Sequence, residues 1–189
     1  MKRLKCFQNF FLSAFLIIGF ASQLQAADSG IPHYENYPPT PIVDYQEEIL
    51  DFYSIKNSYG EFSNFALFPL VIDGVSWPTS EHYYQAHKYL EPELIEKVRL
   101  ASTPMEAAKM GRDPNFPKRS DWDTYKDVAM EIAVVAKFNQ YPVLQELLKS
   151  TNKSFFYEHT KNDCYWGDCG DRTGKNKLGL LLMKIRSTL

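Results

Sequence analysis

Apolar residues at the three- and four-residue spacing of a buried helix face dominate the second half of the chain. Two segments show this spacing most clearly: Val128, Ile132, Val135 and Ala136 in one, and Leu178, Leu181, Leu182 and Ile185 in the other. The first segment predicts a helix over 122–138, and the second predicts a last helix capped by Asn176. Proline in the first turn predicts three shorter helices, which begin near Pro92, Pro104 and Pro142.

Short apolar stretches without the helical repeat predict strands. The pair Asp73-Gly74 separates segments 70–72 and 75–77, and this arrangement is the strongest short-range signal for a β-hairpin. Segments 49–53 and 155–158 predict two further short strands. No internal repeat interrupts the pattern, which therefore predicts one mainly helical domain over residues 49–189.

The first 26 residues have the three-part pattern of a secretory signal peptide. A basic start is followed by the apolar stretch 10–20 and by the small residue Ala26. The apolar stretch is too short for an ordinary membrane span, although an N-terminal anchor helix is the alternative. Residues 27–48, with four prolines, predict an extended linker. We expect a periplasmic or secreted protein without stable membrane association after cleavage near Ala26.

Charge and cysteine content narrow the possible partners and sites. The formal charge of −2 becomes −5 when residues 1–26 leave with their three basic residues. A mildly acidic chain argues against strong nonspecific binding to nucleic acid or anionic membranes. Cys164 and Cys169 remain, and an oxidising compartment would permit a disulfide between them, which the spacing alone leaves open. No further cysteine or histidine pair has the spacing of a zinc site.

The helix predicted after the hairpin carries a polar face. Thr79 can cap this helix, and Glu81, Gln85 and Lys88 follow at i, i+4 and i+7. A second face, which we expect to point to the core, consists of Tyr83, Ala86 and Leu90. A solvated stripe is the alternative for the polar face. However, a lysine amine can attack the anomeric carbon of an opened sugar ring, and a carboxylate can shuttle the proton.

A second polar and aromatic segment follows residue 160. Asp163 and Asp168 bracket Tyr165-Trp166, so that acids lie beside a flat aromatic surface that could stack a base. The helix that begins at Asn176 has N–H groups that favour a phosphate. The alternative is a tight structural loop with Trp166 as a core side chain. Neither the GxGxxG fingerprint nor a Walker loop is present.

Trp122 lies at a predicted helix start, after a polar loop that contains Arg112 and Arg119. It is either a core aromatic residue or the wall of a pocket that Arg112 makes favourable for anions. Two small polar residues before the hairpin, Ser63 and Asn64, are further candidates for such a pocket. No serine lies in a nucleophile elbow, so hydrolysis by a Ser/His/Asp triad is not expected.

Several motifs of this chain resemble the YbiA/NADAR family in order and spacing. They are YGEFSNF, WPTSEHYYQAHK, MGRDP, Lys137-Phe138, EHTKNDCYWGD and GKNKLGLLLMKIR, and together they span residues 49–189. The resemblance implies a mainly α fold, an orthogonal helical bundle with a small β-hairpin and a few short strands. It also implies N-glycosidase activity on a ribosylamino-pyrimidine phosphate of riboflavin synthesis, or on ADP-ribose attached to guanine.

The resemblance also implies roles for individual residues. Glu81 and Lys88 are the implied catalytic pair, with Lys88 forming a Schiff base to the opened ribose, and Asp163 is a further acid–base candidate. The implied binding residues lie around the base, sugar or phosphate: Ser63, Asn64, Gln85, Arg112, Trp122, Trp166 and Asn176. No metal or redox cofactor is implied. The partner is a small ribosylated base or ADP-ribose conjugate, and nucleic acid is a partner only if ADP-ribosylated guanine is the substrate.

The predicted signal peptide and the two loop cysteines distinguish this chain from the pattern of the YbiA/NADAR family. Riboflavin intermediates are cytosolic, so an exported enzyme would act on a nucleotide outside the cytosol. Two other classes of protein remain as alternatives: a nucleotide or ADP-ribose binding module without turnover, and a structural or partner-binding secreted protein. Binding alone needs the aromatic residues and Arg112 but no acid–amine pair, so Glu81 together with Lys88 favours the enzyme.

Overall fold

The computed structural model describes residues 48–189, and every element below lies in that range. The predicted signal peptide (1–26) and all but the last residue of the predicted linker (27–48) lie outside the described residues. In chain order the elements are β1 (Ile49–Phe52), a 3-10 turn (Gly60–Phe62), β2 (Leu70–Ile72), β3 (Val75–Trp77), α1 (Ser80–Ala86), α2 (Pro92–Arg99), α3 (Pro104–Met110), α4 (Trp122–Gln140), α5 (Pro142–Ser150), β4 (Phe155–Glu158) and α6 (Lys177–Arg186). The described chain is therefore rich in helix, as predicted, and the orthogonal arrangement of the helices stays a prediction.

The strands form two separate two-stranded sheets. β2 and β3 pair antiparallel, with Leu70 opposite Trp77, and the predicted turn has positive φ at Asp73 and Gly74, as a tight hairpin requires. β1 and β4 pair in parallel, with Phe52 opposite Glu158. This second sheet joins segments more than 100 residues apart, so that the end of β4 lies beside the first strand of the domain.

Capping residues and prolines mark the helix starts where the sequence predicts them. Thr79 and Thr103 accept hydrogen bonds from the N–H groups of His82 and Glu106, and proline opens α2, α3 and α5. The end of α1 differs from the prediction, because the helix stops at Ala86. Lys88 therefore lies in the turn after α1, and Leu90, which we expected in the core, is 63% exposed.

The long helix α4 has a different buried face from the predicted one. The predicted face was wrong at Val128, which is exposed, and Ile132, Val135 and Ala136 are only partly buried. The fully buried residues are Ala129, Met130, Ala133, Val134, Lys137 and Phe138. The reason is that α4 packs against two cores. One core includes β1, β4, α5 and α6, and the other includes the hairpin, α1, α2 and α3, so the buried residues cover more than one face.

No helix among residues 48–189 is long and apolar enough to cross a membrane.

Candidate active site

A cleft of about 680 Å³ opens beside α1, within the usual volume range of small-molecule sites. Eight of the predicted site residues line this cleft: Asn64, Glu81, Gln85, Lys88, Arg112, Trp122, Asp163 and Trp166. Ser63 and Asn176 are not among the lining residues. The structure thus brings together two segments that lie about 80 residues apart in the sequence, and it leaves out two of the predicted residues.

The first turn of α1 is attached to the segment that precedes the hairpin. The backbone N–H of Glu81 donates to the carbonyl oxygen of Asn64 at 3.1 Å, and the Ser80 hydroxyl donates to Asn64 Oδ1 at 3.1 Å. These bonds place the Asn64 side chain beside the start of the helix. Ser63 has a different contact, because its Oγ accepts from the N–H of Phe65 at 3.3 Å. Ser63 therefore shapes the turn and does not face the cleft.

Glu81 is almost fully buried at the wall of the cleft. Gln85, one helical turn later, donates from Nε2 to Glu81 Oε1 at 2.7 Å. Burial raises the pKa of Glu81, although the bond from Gln85 and the positive charges of Lys88 and Arg112 oppose the rise. Burial thus makes the protonated form of Glu81 more favourable than it is for a glutamate in water, which suits a carboxyl group that exchanges protons with a ligand.

Lys88 presents a buried amine to the same cleft. Its side chain is 8% exposed, and Nζ donates to the carbonyl oxygen of Gly111 at 3.0 Å. Burial, followed by the charges of Lys118 and Arg112, lowers the pKa of Lys88 to about 8, while Glu81 acts in the opposite direction. A substantial fraction of the amine is therefore neutral in mildly basic solution, as a lysine nucleophile requires.

Gly111 holds Lys88 and also makes room for Gln85. A Cβ at this position would lie 1.8 Å from Gln85 Oε1, so a larger residue would have to displace the Gln85 side chain. The same Gln85 Oε1 is buried and has no hydrogen-bond partner among the described residues. Gln85 thus has a buried acceptor without a partner among the described residues, packed beside Gly111.

Three aromatic rings form one wall of the cleft. The ring centroids of Tyr84 and Trp122 are 5.1 Å apart, and those of Tyr84 and Trp166 are 5.5 Å apart at an interplanar angle of 87°. Trp166 Nε1 donates to the Tyr84 hydroxyl at 3.0 Å. Both tryptophans also pack against the first core, so they act as core residues and as cleft wall at once. Tyr84 was not predicted as a cleft residue, although it directly follows Tyr83 in the predicted helix.

The segment from Asp163 to Trp166 is held rigid by local bonds. Asp163 Oδ1 accepts from the N–H groups of Tyr165 and Trp166 at 2.7 and 2.8 Å. Cys164 and Cys169 form a disulfide with their Cα atoms 4.4 Å apart, which answers the question that their spacing left open. Together these bonds fix the backbone that carries Trp166 into the cleft.

Asp168, the second acid of this segment, is fully buried and does not line the cleft. It accepts from the N–H groups of Thr160 and Gly170 and pairs with His159 and Arg172. Burial alone would raise its pKa, but the bonds from His159, Gly170 and Thr160 outweigh burial and lower it. Asp168 is therefore an ionised structural residue that organises the loop.

Asn176 corrects the prediction of a phosphate site at the start of α6. The N–H groups of Lys177 and Leu178 donate to the carbonyl oxygens of Tyr165 and Trp166, so this helix start is occupied by the loop itself. The Asn176 side chain donates to the Phe156 carbonyl at 2.6 Å and accepts from the N–H of Glu158 at 3.0 Å. The Asn176 side chain therefore anchors β4 and makes no cap hydrogen bond to α6, so the predicted cap was wrong.

Glu158 is the main cleft residue that the sequence analysis missed. It is the last residue of β4, and its side chain lines the cleft. Burial, with added repulsion from Asp163, Glu81 and Asp168, raises the pKa of Glu158 to about 8. The available signal was strand alternation, because Glu158 lies two residues after the buried Phe156 and therefore shares its face.

Among residues 48–189, no group of histidine, cysteine, aspartate and glutamate has an arrangement that could hold a metal ion.

Comparison with known proteins gives a consistent result. Residues 51–189 match a family described as the NADAR domain. The N-glycosidase YbiA of Escherichia coli (strain K12) is 49% identical over 144 residues, which cover 76% of this chain and 90% of that protein. The chloroplastic riboflavin biosynthesis protein PYRR of Zea mays is 35% identical over 191 residues, which cover 92% of this chain but only 31% of that protein.

A similar structure is also known. The NMR structure of the E. coli protein YbiA has 49% sequence identity and a TM-score of 0.71, covering 76% of this chain and 86% of that one. The match extends to a helix-rich fold with few short strands, the arrangement described above.

Proposed function

Because this chain belongs to the NADAR domain family, we propose that its cleft hydrolyses the N-glycosidic bond between a base and a phosphorylated ribose or ADP-ribose. The enzyme class, an N-glycosidase, rests on relatives of that name with 49% identity. The observation that carries the chemistry is the buried amine of Lys88 in the same cleft as the buried carboxyl group of Glu81.

Lys88 acts at the anomeric carbon of the sugar. Its lowered pKa makes the amine nucleophilic near pH 8, and attack on the opened sugar gives a Schiff base after the base departs. Glu81 lines the same cleft and moves the protons that this exchange requires, because burial raises its pKa and favours its protonated form. Gln85 keeps the Glu81 carboxyl group oriented toward the cleft.

The remaining cleft residues account for recognition of the two halves of the substrate. Tyr84, Trp122 and Trp166 offer flat surfaces for the base, a type of contact worth about 1–3 kcal/mol per base in single-strand binding. The guanidinium of Arg112 supplies a cation for a phosphate group. Asn64, which lines the same cleft, offers a hydrogen bond to a sugar hydroxyl.

We further propose that the enzyme works outside the cytosol. The support is the three-part N-terminal pattern and the disulfide between Cys164 and Cys169, a bond typical of oxidising compartments. N-terminal sequencing of the protein from its native host should find a start near Ala27. An intact Met1 on protein recovered from the cytosol would contradict export.

Substrate screening tests the proposed activity. The protein, expressed from the full-length sequence, is incubated with a panel of ribosylated bases and ADP-ribosylated guanine, and release of the base is followed by chromatography. We expect release from at least one member, and a Glu81→Gln variant should be slower by roughly 10² or more. Binding of a panel member without release by the wild-type protein would instead indicate a nucleotide-binding module.

A further inference from the structure

Three carboxyl groups line the cleft, and their environments differ. They belong to Glu81, Glu158 and Asp163, and the charge of Asp163 raises the pKa of each of the two glutamates. A carboxylate charge in a shared site makes ionisation of the neighbouring carboxyl groups less favourable. Differences in environment then decide which group donates a proton and which stays charged.

The carboxyl group of Asp163 is bonded to its own loop. Its Oδ1 accepts two backbone N–H bonds, from Tyr165 and Trp166. These two bonds hold the backbone of the loop that carries Trp166. Asp163 therefore has a structural role in this loop.

Glu158 has a fixed backbone and a side chain without hydrogen bonds. Its N–H donates to Asn176 Oδ1 at 3.0 Å, and its carbonyl oxygen accepts from the N–H of Asp168 at 3.1 Å. The structure of residues 48–189 describes no hydrogen bond to the Glu158 carboxyl group, although this group lines the cleft. The backbone therefore positions a carboxyl group that remains available to a ligand.

Charged residues around Glu158 favour its protonated form. Burial is the largest cause, and the carboxylates Asp163, Glu81 and Asp168 add to the rise of its pKa to about 8. The cations that line the same cleft, Lys88, Arg112 and Lys126, do not remove this rise. His159, the next residue, bonds to Asp168 instead of Glu158.

We propose that Glu158 is the general acid that protonates the departing base, and that Asp163 positions the loop that carries Trp166. This inference rests on the proposed N-glycosidase activity. It assigns to Glu158 the proton transfer for which the sequence analysis named Asp163.

The proposed step balances in protons and electrons. Lys88 Nζ bonds to C1′ of the sugar as the ring bond from C1′ to O4′ breaks, and the proton that the amine loses goes to O4′. The bond from C1′ to the base nitrogen then breaks, and its electron pair leaves with that nitrogen. Glu158 gives its proton to this nitrogen and becomes a carboxylate, while C1′ and Lys88 Nζ form a protonated Schiff base. Water then adds to C1′ and releases Lys88, and the proton that this addition sets free returns to Glu158.

The test compares Glu158→Gln with Asp163→Asn on a substrate that the wild-type protein cleaves. Glu158→Gln should lower kcat by roughly 10² or more at pH 7 with little change in KM, as expected for loss of a general acid. The wild-type rate should fall above pH about 8 as Glu158 ionises, and this alkaline limb should disappear in Glu158→Gln. Glu158→Asp should recover part of kcat.

Asp163→Asn should instead lower the thermal midpoint of unfolding and raise KM. Its pH–rate profile should keep the alkaline limb.

Two results would overturn this assignment. One is a Glu158→Gln enzyme with kcat within threefold of wild type, and the other is an alkaline limb that Asp163→Asn abolishes and Glu158→Gln retains. Carboxyl ¹³C NMR of the wild-type protein gives a check that needs no variant, because Glu158 should titrate near pH 8. Titration of Glu158 near 4 would contradict the proposal. A wild-type protein that releases no base from any panel member would point instead to failure of the proposed function itself.

Discussion

Two lysines among residues 48–189, Lys88 and Lys137, are almost completely buried, and only Lys88 faces the cleft. Lys88 lines the cleft with a single carbonyl partner, that of Gly111. Lys137, in α4, donates to the carbonyl oxygens of both Glu61 and Ser63 and lies 5.3 Å from the centroid of the Phe68 ring. Burial lowers the pKa of Lys88 to about 8 and that of Lys137 to about 7.

The comparison shows that a perturbed pKa does not by itself identify a catalytic residue. Lys137 has the larger shift, but the core surrounds its amine and it does not line the cleft. Its two bonds hold the turn at Gly60–Phe62, which leads into the Asn64 segment at the start of α1. The pKa of Lys88 is shifted less, but a ligand in the cleft can reach its amine. Access to a ligand therefore distinguishes the chemical role of Lys88 from the structural role of Lys137.

Replacement of each lysine by methionine should separate the two roles. Lys88→Met should lose roughly 10² or more of kcat, because it removes the nucleophile, and should fold normally. The exposed Lys149 provides a matched control, and Lys149→Met should keep wild-type kinetics. Steady-state kinetics with circular dichroism measures both properties. A fully active Lys88→Met enzyme would end the assignment of Lys88 as nucleophile.

Lys137→Met should have the opposite profile. The variant loses two hydrogen bonds from a buried charged donor and is relieved of a buried charge, so we expect a net loss of about 2 kcal/mol in the free energy of unfolding. The folded fraction should keep most of its kcat. Urea unfolding measures the first quantity, and a stable but inactive Lys137→Met protein would contradict the purely structural role.

The stability of the protein should depend on pH through Lys137. The pKa of Lys137 is 10.5 as its ordinary value and about 7 in the folded protein, so the unfolded chain binds more protons between these values. Stability conferred by this residue therefore rises with pH from about 7 to about 10.5 and is lowest below 7, where both states are protonated. The stability difference between wild type and Lys137→Met should accordingly grow over that window. A difference that is constant with pH would show that Lys137 titrates normally.

Gly111→Ala should disturb the active site without unfolding the protein. The backbone of Gly111 has an α-helical φ of −66°, which alanine adopts easily, but the new Cβ would collide with Gln85 Oε1. We expect about a tenfold loss of kcat/KM, equivalent to about 1.4 kcal/mol of transition-state stabilisation. In a Gln85→Ala background the same change should cost much less. If Gly111→Ala lowers kcat/KM equally with and without Gln85→Ala, then its effect does not arise from the collision with Gln85.

Loss of the disulfide should have the smallest effect. The bond between Cys164 and Cys169 closes a loop with a sequence separation of only 5, so it removes little entropy from the unfolded chain. Cys164→Ser with Cys169→Ser should lower the free energy of unfolding by about 2 kcal/mol or less. Calorimetry with and without a dithiol reductant measures this difference. Free thiols in freshly isolated protein would remove the rigidifying role of the bond.

Local patterns predicted much of the fold and most of the cleft. Capping residues, prolines and the Asp73-Gly74 turn gave helix starts and the hairpin at the correct positions. The parallel pairing of β1 with β4 depends on a contact across more than 100 residues, which no local pattern encodes. The buried face of α4 was misread because a helix between two cores has no single apolar stripe.

The missed and misplaced site residues have similar physical reasons. In the sequence, Glu158 has only the features of an ordinary strand residue. The fold brings it to the cleft because β4 ends there. Asn176 begins a helix whose first N–H groups bind the preceding loop, a tertiary contact that spacing cannot reveal. Lys88 lines the cleft even though α1 ends at Ala86, because helix-type backbone hydrogen bonds continue into the turn. The N–H groups of His87 and Lys88 donate to the carbonyl oxygens of Tyr83 and Gln85.

Borohydride trapping tests the central claim, that Lys88 is the nucleophile, most directly. The wild-type protein is mixed with a cleaved substrate, the reductant is added during turnover, and the adduct is located by peptide mass spectrometry. Reduction of the Schiff base should leave one sugar moiety attached to Lys88 and none on Lys137, whose amine lies in the core. An active enzyme that yields no adduct, or an adduct on a different lysine, would contradict the account.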